Sequence, residues 1–251
     1  MKDRFSAHAN QYAQFRPSYP PELYEFIYRH VGHFGSVWDC GTGNGQAARD
    51  LSKKFSKVFA TDISSKQLGN AFLSDTIFYS IANEKSSFAD NSFDLITVAQ
   101  AAHWFDMEAF SKEARRVAKA NSLIALWGYS LLTINPKTDR LLNQFYTQVV
   151  GAYWDKERRH VDEHYKNLYF PFGEIQSPSF TISLSWTLAE LIGYLSTWSA
   201  VQKYILVNKQ NPIENLIEEL ETFWKEDMQV VRFPLFLRLG RITKKEIKND
   251  C

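Results

Sequence analysis

Residues 37–45, which read Val-Trp-Asp-Cys-Gly-Thr-Gly-Asn-Gly, restrict most strongly what this chain can fold into. Three alternating glycines follow a short apolar stretch and precede residues 46–55, whose apolar side chains recur at helical spacing. Glycine is needed where the backbone turns with positive φ or approaches a ligand closely. We therefore predict a strand, a tight turn and a helix, as in nucleotide-binding α/β folds. A tight turn without a ligand is the alternative interpretation.

Strand and helix patterns alternate along the first half of the chain. We predict helices over residues 21–33, 46–55, 64–73 and 106–118, and strands over residues 37–40, 58–62, 77–81, 93–99 and 122–127. Such alternation is typical of a parallel, doubly wound α/β sheet. Residues 93–99 are apolar enough for a strand that is buried on both faces.

The pattern changes after residue 135. Residues 137–168 favour helices, and further elements are predicted at 180–186 (strand), 187–204 and 212–227 (helices) and 230–239 (strand). Pro234 lies inside the last strand, and proline suits an edge or a bulge, so this strand is not expected to be central throughout. We expect the helical insertions to form a cap over the carboxyl edge of the sheet.

The predicted organisation has three parts: lid helices in residues 1–34, a cofactor-binding α/β half in residues 35–135, and a C-terminal half in residues 136–251 with the cap and final antiparallel strands. The net charge of +1 argues against binding nucleic acid by bulk electrostatics. The sequence contains no apolar run of membrane-spanning length. Cys40 and Cys251 are not expected to form a structural disulfide. We expect a cytoplasmic monomer or homodimer without a metal.

Acidic residues on either side of the loop indicate which ligand it takes. The spacing Gly41-x-Gly43-x-Gly45 differs from the Gly-x-Gly-x-x-Gly of dinucleotide sites. Asp39 would repel a pyrophosphate and would suit an ammonium group. Asp62, which ends the second predicted strand, can accept hydrogen bonds from both ribose hydroxyls. A ligand with an amino group, a ribose and no phosphate is S-adenosylmethionine.

Several motifs resemble those of the class I S-adenosylmethionine-dependent methyltransferases. They are Asn83-Glu84 after the third strand, the fourth strand at 92–99, Gln100-Ala-Ala-His-Trp-Phe105, Glu113-Ala-Arg-Arg-Val117, the Arg-Pro-x-Tyr-Pro of residues 16–20 and Thr197-Trp-Ser-Ala200. Several of these are similar to a small-molecule subgroup that includes the trans-aconitate methyltransferases. The resemblance covers nearly the whole chain. It implies a doubly wound, seven-stranded, mostly parallel Rossmann-like sheet with helical cap insertions.

The resemblance and the loop together identify candidate residues for the cofactor. These are Tyr12, Arg16, Asp39, Gly41, Gly43, Asp62, Ile63, Asn83, Glu84 and Gln100. Arg16 can pair with the cofactor carboxylate, unless it is a surface residue. Tyr12 and Tyr19 can cover the methionine arm, or they pack a lid helix.

The candidates on the acceptor side are Tyr19, His103, Trp104 and Trp198. His103 follows the fourth strand, and it can act as a general base, orient an acceptor oxygen or serve a structural role. Trp104 and Trp198 line the acceptor pocket or belong to the core. The run Arg158-Arg159-His160 either attracts an anionic acceptor or forms a solvated helix face, and the sequence favours the latter.

The sequence therefore predicts methyl transfer to a small molecule, with a carboxylic acid as the favoured acceptor. A carboxylate is ionised at neutral pH and needs no general base. Gln100-Ala-Ala-His stands where amino-methylating enzymes carry Asn/Asp-Pro-Pro-Tyr, so protein and nucleic-acid acceptors are disfavoured. Three alternatives stay open: a C-methyltransferase for a quinone precursor, a non-catalytic cofactor-binding module and a nicotinamide oxidoreductase.

Overall fold

The computed structural model describes residues 15–244, so Tyr12 and Cys251 lie outside the described residues. The strands are β1 (Ser36–Cys40), β2 (Lys57–Asp62), β3 (Ile77–Ile81), β4 (Phe93–Ala99), β5 (Ala118–Tyr129), β6 (Gly173–Ile175), β7 (Phe180–Trp186) and β8 (Gln229–Arg241). The α-helices are α1 (Pro21–Tyr28), α2 (Gln46–Leu51), α3 (Ser65–Gly69), α4 (Met107–Val117), α5 (Pro136–Gln144), α6 (Arg158–Asp162), α7 (Leu188–Ser196), α8 (Ser199–Asn208) and α9 (Ile213–Phe223).

The strands form one mixed sheet in the order β3-β2-β1-β4-β5-β8, and β6 and β7 both pair with the far side of β8. The first five strands are mutually parallel, whereas β8 runs antiparallel to β5. β6 and β7 both lie beside β8, on the side away from β5, and they pair with different parts of it. They therefore occupy the same place in the strand order, and the sheet is seven strands wide. The predicted seven-stranded, mostly parallel sheet is confirmed. The chain reverses its winding between β1 and β4, which is where ligands bind in open α/β sheets.

Two apolar cores lie on opposite faces of this sheet. Successive strand residues point to opposite faces, so neighbouring residues enter different cores. Val37 and Leu95 belong to the core that also contains Trp127, while Trp38 and Ile96 belong to the other. The central strands β1 and β4 are buried at nearly every position, because both of their faces are covered.

Side-chain caps explain where several helices begin. The Asp106 carboxylate accepts hydrogen bonds from the backbone amides of Glu108 and Ala109 in the first turn of α4, and the Ser64 hydroxyl caps α3 by accepting one from the Gln67 amide. Thr187 and Glu190 form a reciprocal capping box at the start of α7.

Helix ends differ more from the prediction than helix starts do. α2 ends at Leu51 rather than near Phe55, whose ring is buried in the core although it lies beyond the helix. α1 and α3 also end four to five residues early. The helix predicted over 187–204 is two helices, because Trp198 adopts an extended backbone conformation between them.

The last strand shows why Pro234 is tolerated. β8 pairs with β7 over residues 229–235 and with β5 over residues 235–241, so Pro234 lies where β5 ends. Its carbonyl accepts a hydrogen bond from the backbone amide of Ser130. The ladder between β5 and β8 begins at Leu235, so it does not need the N–H group that proline lacks. The expectation that this strand is not central throughout is confirmed. Within residues 15–244, no helix combines the length and apolar character needed to cross a membrane.

Candidate active site

A cavity lies at the carboxyl edge of the sheet, beside the reversal between β1 and β4. Its lining combines the N-terminal segment, the loops after β1, β2 and β4, and the cap. The lining residues that bear on function are Arg16, Tyr19, Gly41, Thr42, Gly43, Asp62, Ile63, Gln100, His103, Trp104, Trp154, Asp155, Arg158 and Trp198. The cavity therefore contains most of the predicted cofactor and acceptor candidates.

The glycine loop is shaped by three left-handed residues. Gly41, Gly43 and Gly45 have φ values of +71°, +58° and +81°. A Cβ atom on Gly41 would lie 2.7 Å from the Cβ of Ala101, and one on Gly45 would collide with the hydroxyl of Tyr79. A Cβ on Gly43 would meet nothing within 4 Å. Gly41 is thus required by packing as well as by its φ, whereas Gly43 has open space beside it and lines the cavity.

Asp62 holds this loop in place. Its Oδ2 accepts a hydrogen bond from the Gly43 amide at 2.9 Å, and its Oδ1 accepts one from the Ser64 amide at 2.8 Å. The carboxylate thus fixes the loop and also lines the cavity. Each carboxylate oxygen has more than one lone pair, so acceptor capacity remains for ligand hydroxyls.

Asp39 lies under the loop and is fully buried. Its carboxylate accepts hydrogen bonds from the hydroxyls of Thr42 at 2.5 Å and Thr97 at 2.7 Å. Burial raises the pKa of Asp39 to about 6, and the two hydroxyls only partly offset this rise. Asp39 is not among the described residues that line the cavity. Sequence reasoning did not find Thr42 and Thr97, which give this carboxyl its polar partners.

The N-terminal segment is attached to the sheet through Arg16. Its Nη1 donates to the hydroxyl of Tyr129 at 2.8 Å, and its guanidinium lies 5.3 Å from the centre of the Tyr194 ring. Tyr19 packs edge-to-face on Trp127 at 5.5 Å. Arg16 and Tyr19 both line the cavity, so the structure brings them to the predicted site.

Gln100 links two strands at the cavity wall. Its Oε1 accepts a hydrogen bond from the Tyr129 amide at 2.8 Å, and its Nε2 donates to the Tyr129 carbonyl at 3.3 Å. Its backbone is left-handed, with φ of +54°. The side-chain amide is thus engaged with β5 while the residue lines the cavity.

Neither Asn83 nor Glu84 is among the described residues that line the cavity. The Asn83 side chain accepts a hydrogen bond from the Lys85 amide at 3.0 Å. Glu84 is buried, and its Oε2 has no hydrogen-bond partner among residues 15–244. Their predicted position near the adenine ring stays a prediction.

His103 is buried at the cavity wall in a short 3₁₀ turn after β4. Its Nδ1 lies 2.9 Å from the hydroxyl of Tyr165, whereas its Nε2 has no hydrogen-bond partner in the described chain. Burial, followed by the positive charges of Arg158 and His160, lowers the pKa of His103 to about 3. The imidazole is therefore neutral at neutral pH. Tyr165, found only through the structure, is placed by a left-handed backbone with φ of +58°.

Aromatic side chains form the cap side of the cavity. Trp198 is 4% exposed, and its ring centre lies 5.5 Å from that of Trp154 and 5.6 Å from that of Tyr146. Trp104 packs on His103 at 4.6 Å. Trp198 therefore belongs to the core and to the cavity wall at once.

Arg158 corrects one expectation from the sequence. The run 158–160 was predicted to form a solvated helix face, but Arg158 lines the cavity and its side chain is only 19% exposed. Arg159 is exposed, as predicted. α6 is a single short turn with no regular apolar stripe, so the sequence pattern does not show which basic residue points inward.

The site fits the cofactor that the sequence predicts. Gly43 leaves open the space that a Cβ would fill, and the Asp62 carboxylate borders the same cavity at the end of β2. Arg16 brings a guanidinium to the cavity, which suits the carboxylate of an amino acid moiety. The cavity thus offers the Asp62 carboxylate to the ribose hydroxyls of the cofactor and the Arg16 guanidinium to its carboxylate.

Comparisons with known proteins agree with this geometry. A family model described as a methyltransferase domain matches residues 38–126. A protein of Dictyostelium discoideum named as a methyltransferase is 31% identical over 249 residues, covering 95% of each chain. A solved structure from Anaeromyxobacter dehalogenans, named as a type II methyltransferase, is 33% identical with a TM-score of 0.85, covering 91% of this chain and 99% of that chain.

A more distant structure, of a Bacillus halodurans protein named as a methyltransferase, is 19% identical with a TM-score of 0.51. That likeness covers 90% of this chain and 100% of the other, and it shows the fold alone.

Proposed function

Because this chain belongs to the class I S-adenosylmethionine-dependent methyltransferases, we propose that it methylates a small molecule at a carboxylate oxygen. The cofactor is S-adenosylmethionine, which supplies a methyl group already activated on a sulfonium. The protein then has to align the acceptor and exclude water. The residues of this chain that line the cavity determine which class of acceptor is methylated.

The state of His103 is the observation that carries this proposal. A general base works best with a pKa near the working pH, and the pKa of His103 is lowered to about 3. The imidazole is a poor proton acceptor there, so the site suits an acceptor that enters already ionised. A carboxylate meets that condition at neutral pH.

The neutral imidazole has a second use. When the Tyr165 hydroxyl donates to Nδ1, the proton of the imidazole is on Nε2, which has no protein partner in the described chain. We propose that Nε2–H donates to the acceptor carboxylate and orients it. His103 is then a hydrogen-bond donor rather than a base.

The other carboxylates in the cavity wall are engaged by the protein. Asp62 accepts two backbone hydrogen bonds, and Asp155 forms an ion pair with Lys203 at 2.6 Å. Both carboxylates are therefore already engaged with protein groups. These pairings favour the same acceptor class as His103 does.

We propose that the residues whose chemistry suits S-adenosylmethionine bind it. Gly41 and Gly43 admit its approach, Asp62 accepts from the ribose hydroxyls, and Arg16 pairs with its carboxylate. The roles predicted for Tyr12, Asp39, Ile63, Asn83, Glu84 and Gln100 are part of the same proposal, as are those of Tyr19, Trp104 and Trp198 on the acceptor side.

Methyl transfer from labelled S-adenosylmethionine to a panel of carboxylic acids and their matched amides tests this proposal. We expect transfer to acids only, and alkaline treatment should release the label as methanol, because the product is an ester. kcat/KM should not rise between about pH 6 and about pH 9, because no base titrates in that range. A rising limb there, or a product stable to alkali, would favour a carbon acceptor.

His103→Ala separates the donor role from a structural one. Loss of one orienting hydrogen bond should lower kcat/KM about tenfold, which corresponds to about 1.4 kcal/mol. The affinity for S-adenosylhomocysteine, measured by calorimetry, should be unchanged. Activity near the wild-type level would remove His103 from the mechanism. Cofactor binding without transfer to any acceptor would instead support a non-catalytic module.

A further inference from the structure

Arg158 lines the cavity, and the Nε side of its guanidinium is fixed by contacts with other side chains. Nε donates to the hydroxyl of Tyr146 at 2.9 Å and lies 3.5 Å from Oδ1 of Asp162. The Tyr146 hydroxyl in turn donates to Asp162 Oδ1 at 2.8 Å. One edge of the guanidinium is therefore fixed in direction.

Two aromatic rings lie close to the guanidinium of Arg158. Its central carbon lies 5.0 Å from the centre of the Trp154 ring and 5.6 Å from that of Tyr146. Such contacts hold a guanidinium plane while leaving its N–H groups available. The pKa of Arg158 is raised by Tyr146 and Asp162 despite burial, so the group stays charged.

The remaining edge of Arg158 has no assigned role. Nη1 and Nη2 make no hydrogen bond to any of residues 15–244, although Arg158 lines the cavity. Two parallel N–H groups on a fixed plane match the two oxygens of a carboxylate. Asp162 engages the opposite side of the guanidinium and is itself 45% exposed, so its charge is partly screened by solvent.

The charges around this edge favour an anion. The Asp155 carboxylate lines the same cavity but is paired with Lys203 at 2.6 Å. The neighbouring His103 is neutral, and its low pKa already reflects the positive field of Arg158. Arg158 therefore brings to this wall a cation whose protein partner, Asp162, is partly exposed to solvent.

From these contacts we infer that the Nη1–Nη2 edge of Arg158 binds a carboxylate of the acceptor and determines acceptor specificity. This inference rests on the proposed function, because it names the residue that selects the proposed acceptor class. Trp154 lies close to the guanidinium, and Asp162 and Tyr146 hold its Nε side and so fix its direction. A neutral amide of the same shape lacks the charge-assisted pair and binds more weakly.

Arg158→Gln tests the inference, and Arg159→Gln, the exposed neighbour, is the matched control. The probes are succinate, fumarate, cinnamate and citrate, each titrated by calorimetry into protein saturated with S-adenosylhomocysteine. Cinnamamide, succinamide and inorganic phosphate are titrated alongside. We expect at least one carboxylate to bind, with its affinity lowered at least about tenfold in Arg158→Gln and unchanged in Arg159→Gln.

Two further readouts distinguish a binding role from a structural one. Arg158→Lys should recover part of the carboxylate affinity, because the charge is restored without the bidentate geometry. The affinity for S-adenosylhomocysteine should be the same in all variants, which also shows that they fold. Equal carboxylate binding in Arg158→Gln and wild type would overturn the inference.

The remaining outcomes are also decisive. Wild-type protein that binds none of the carboxylates, or binds phosphate more tightly than all of them, would contradict the assignment. Wild-type protein that binds a carboxylate through Arg158 but does not methylate it would leave the subsite standing and refute the proposed function. The two proposals therefore fail in different experiments.

Discussion

Asp39 illustrates how one buried carboxyl serves the loop above it. Two threonine hydroxyls, from Thr42 in the loop and Thr97 in β4, donate to it. Burial nevertheless raises its pKa from 3.8 to about 6. Between these two values the folded protein binds more protons than the unfolded chain, so stability falls as the pH rises through this range.

Asp39→Asn should remove this pH dependence. Between about pH 4.5 and about pH 7, the wild type should lose about 2 kcal/mol of unfolding free energy relative to the variant. Urea unfolding of both proteins at the two pH values measures the difference, and contributions from other groups cancel in the comparison. Parallel stability curves for the two proteins would show that Asp39 does not titrate in this range.

In the loop after β1, we expect one glycine to be needed mainly for stability and another mainly for cofactor binding. Gly41 and Gly43 are both left-handed, so an alanine at either position costs about 1–2 kcal/mol of backbone strain. Only at Gly41 does the added methyl group also meet Ala101. At Gly43 the methyl group meets no atom within 4 Å, and this residue lines the cavity in which the cofactor is expected.

Gly41→Ala and Gly43→Ala therefore form a matched pair. We expect Gly41→Ala to be the less stable variant, by about 1–3 kcal/mol, because a methyl group is forced into packed side chains. Gly43→Ala should fold but should bind S-adenosylhomocysteine at least about tenfold more weakly. Chemical unfolding and calorimetry measure the two effects. Identical profiles for the two variants would refute the division of roles.

For the molecule as a whole, the cavity draws on the sheet edge, the N-terminal segment and the cap together. A ligand that binds only the assembled site stabilises the entire fold by linkage. S-adenosylhomocysteine at about one hundred times its Kd should add about 2.7 kcal/mol to the unfolding free energy. NAD⁺ at the same concentration should add nothing, and stabilisation by NAD⁺ alone would revive the oxidoreductase alternative.

Local sequence signals were sufficient for the sheet and the loop. The bounds predicted for β4 and β7 agree with the structure, because apolar runs and alternation directly reflect burial on one or two faces. The bounds predicted for β3 also agree, although Phe78 and Ile81 in that strand are exposed. The caps at Asp106 and Thr187 depend on an equally local signal, since a short polar side chain before an apolar helix meets its backbone amides locally. Helix ends were less well predicted, because core packing continues beyond the last turn at Phe55.

The sequence by itself thus determined the α/β sheet, the glycine loop and the family to which the chain belongs. Only the tertiary structure decided what the cavity presents to an acceptor. His103 meets Tyr165, 62 residues later in the chain, and Arg158 turns inward from a short helix without apolar periodicity. Those contacts depend on how irregular segments pack across the sheet edge, and no local pattern of residues encodes that packing.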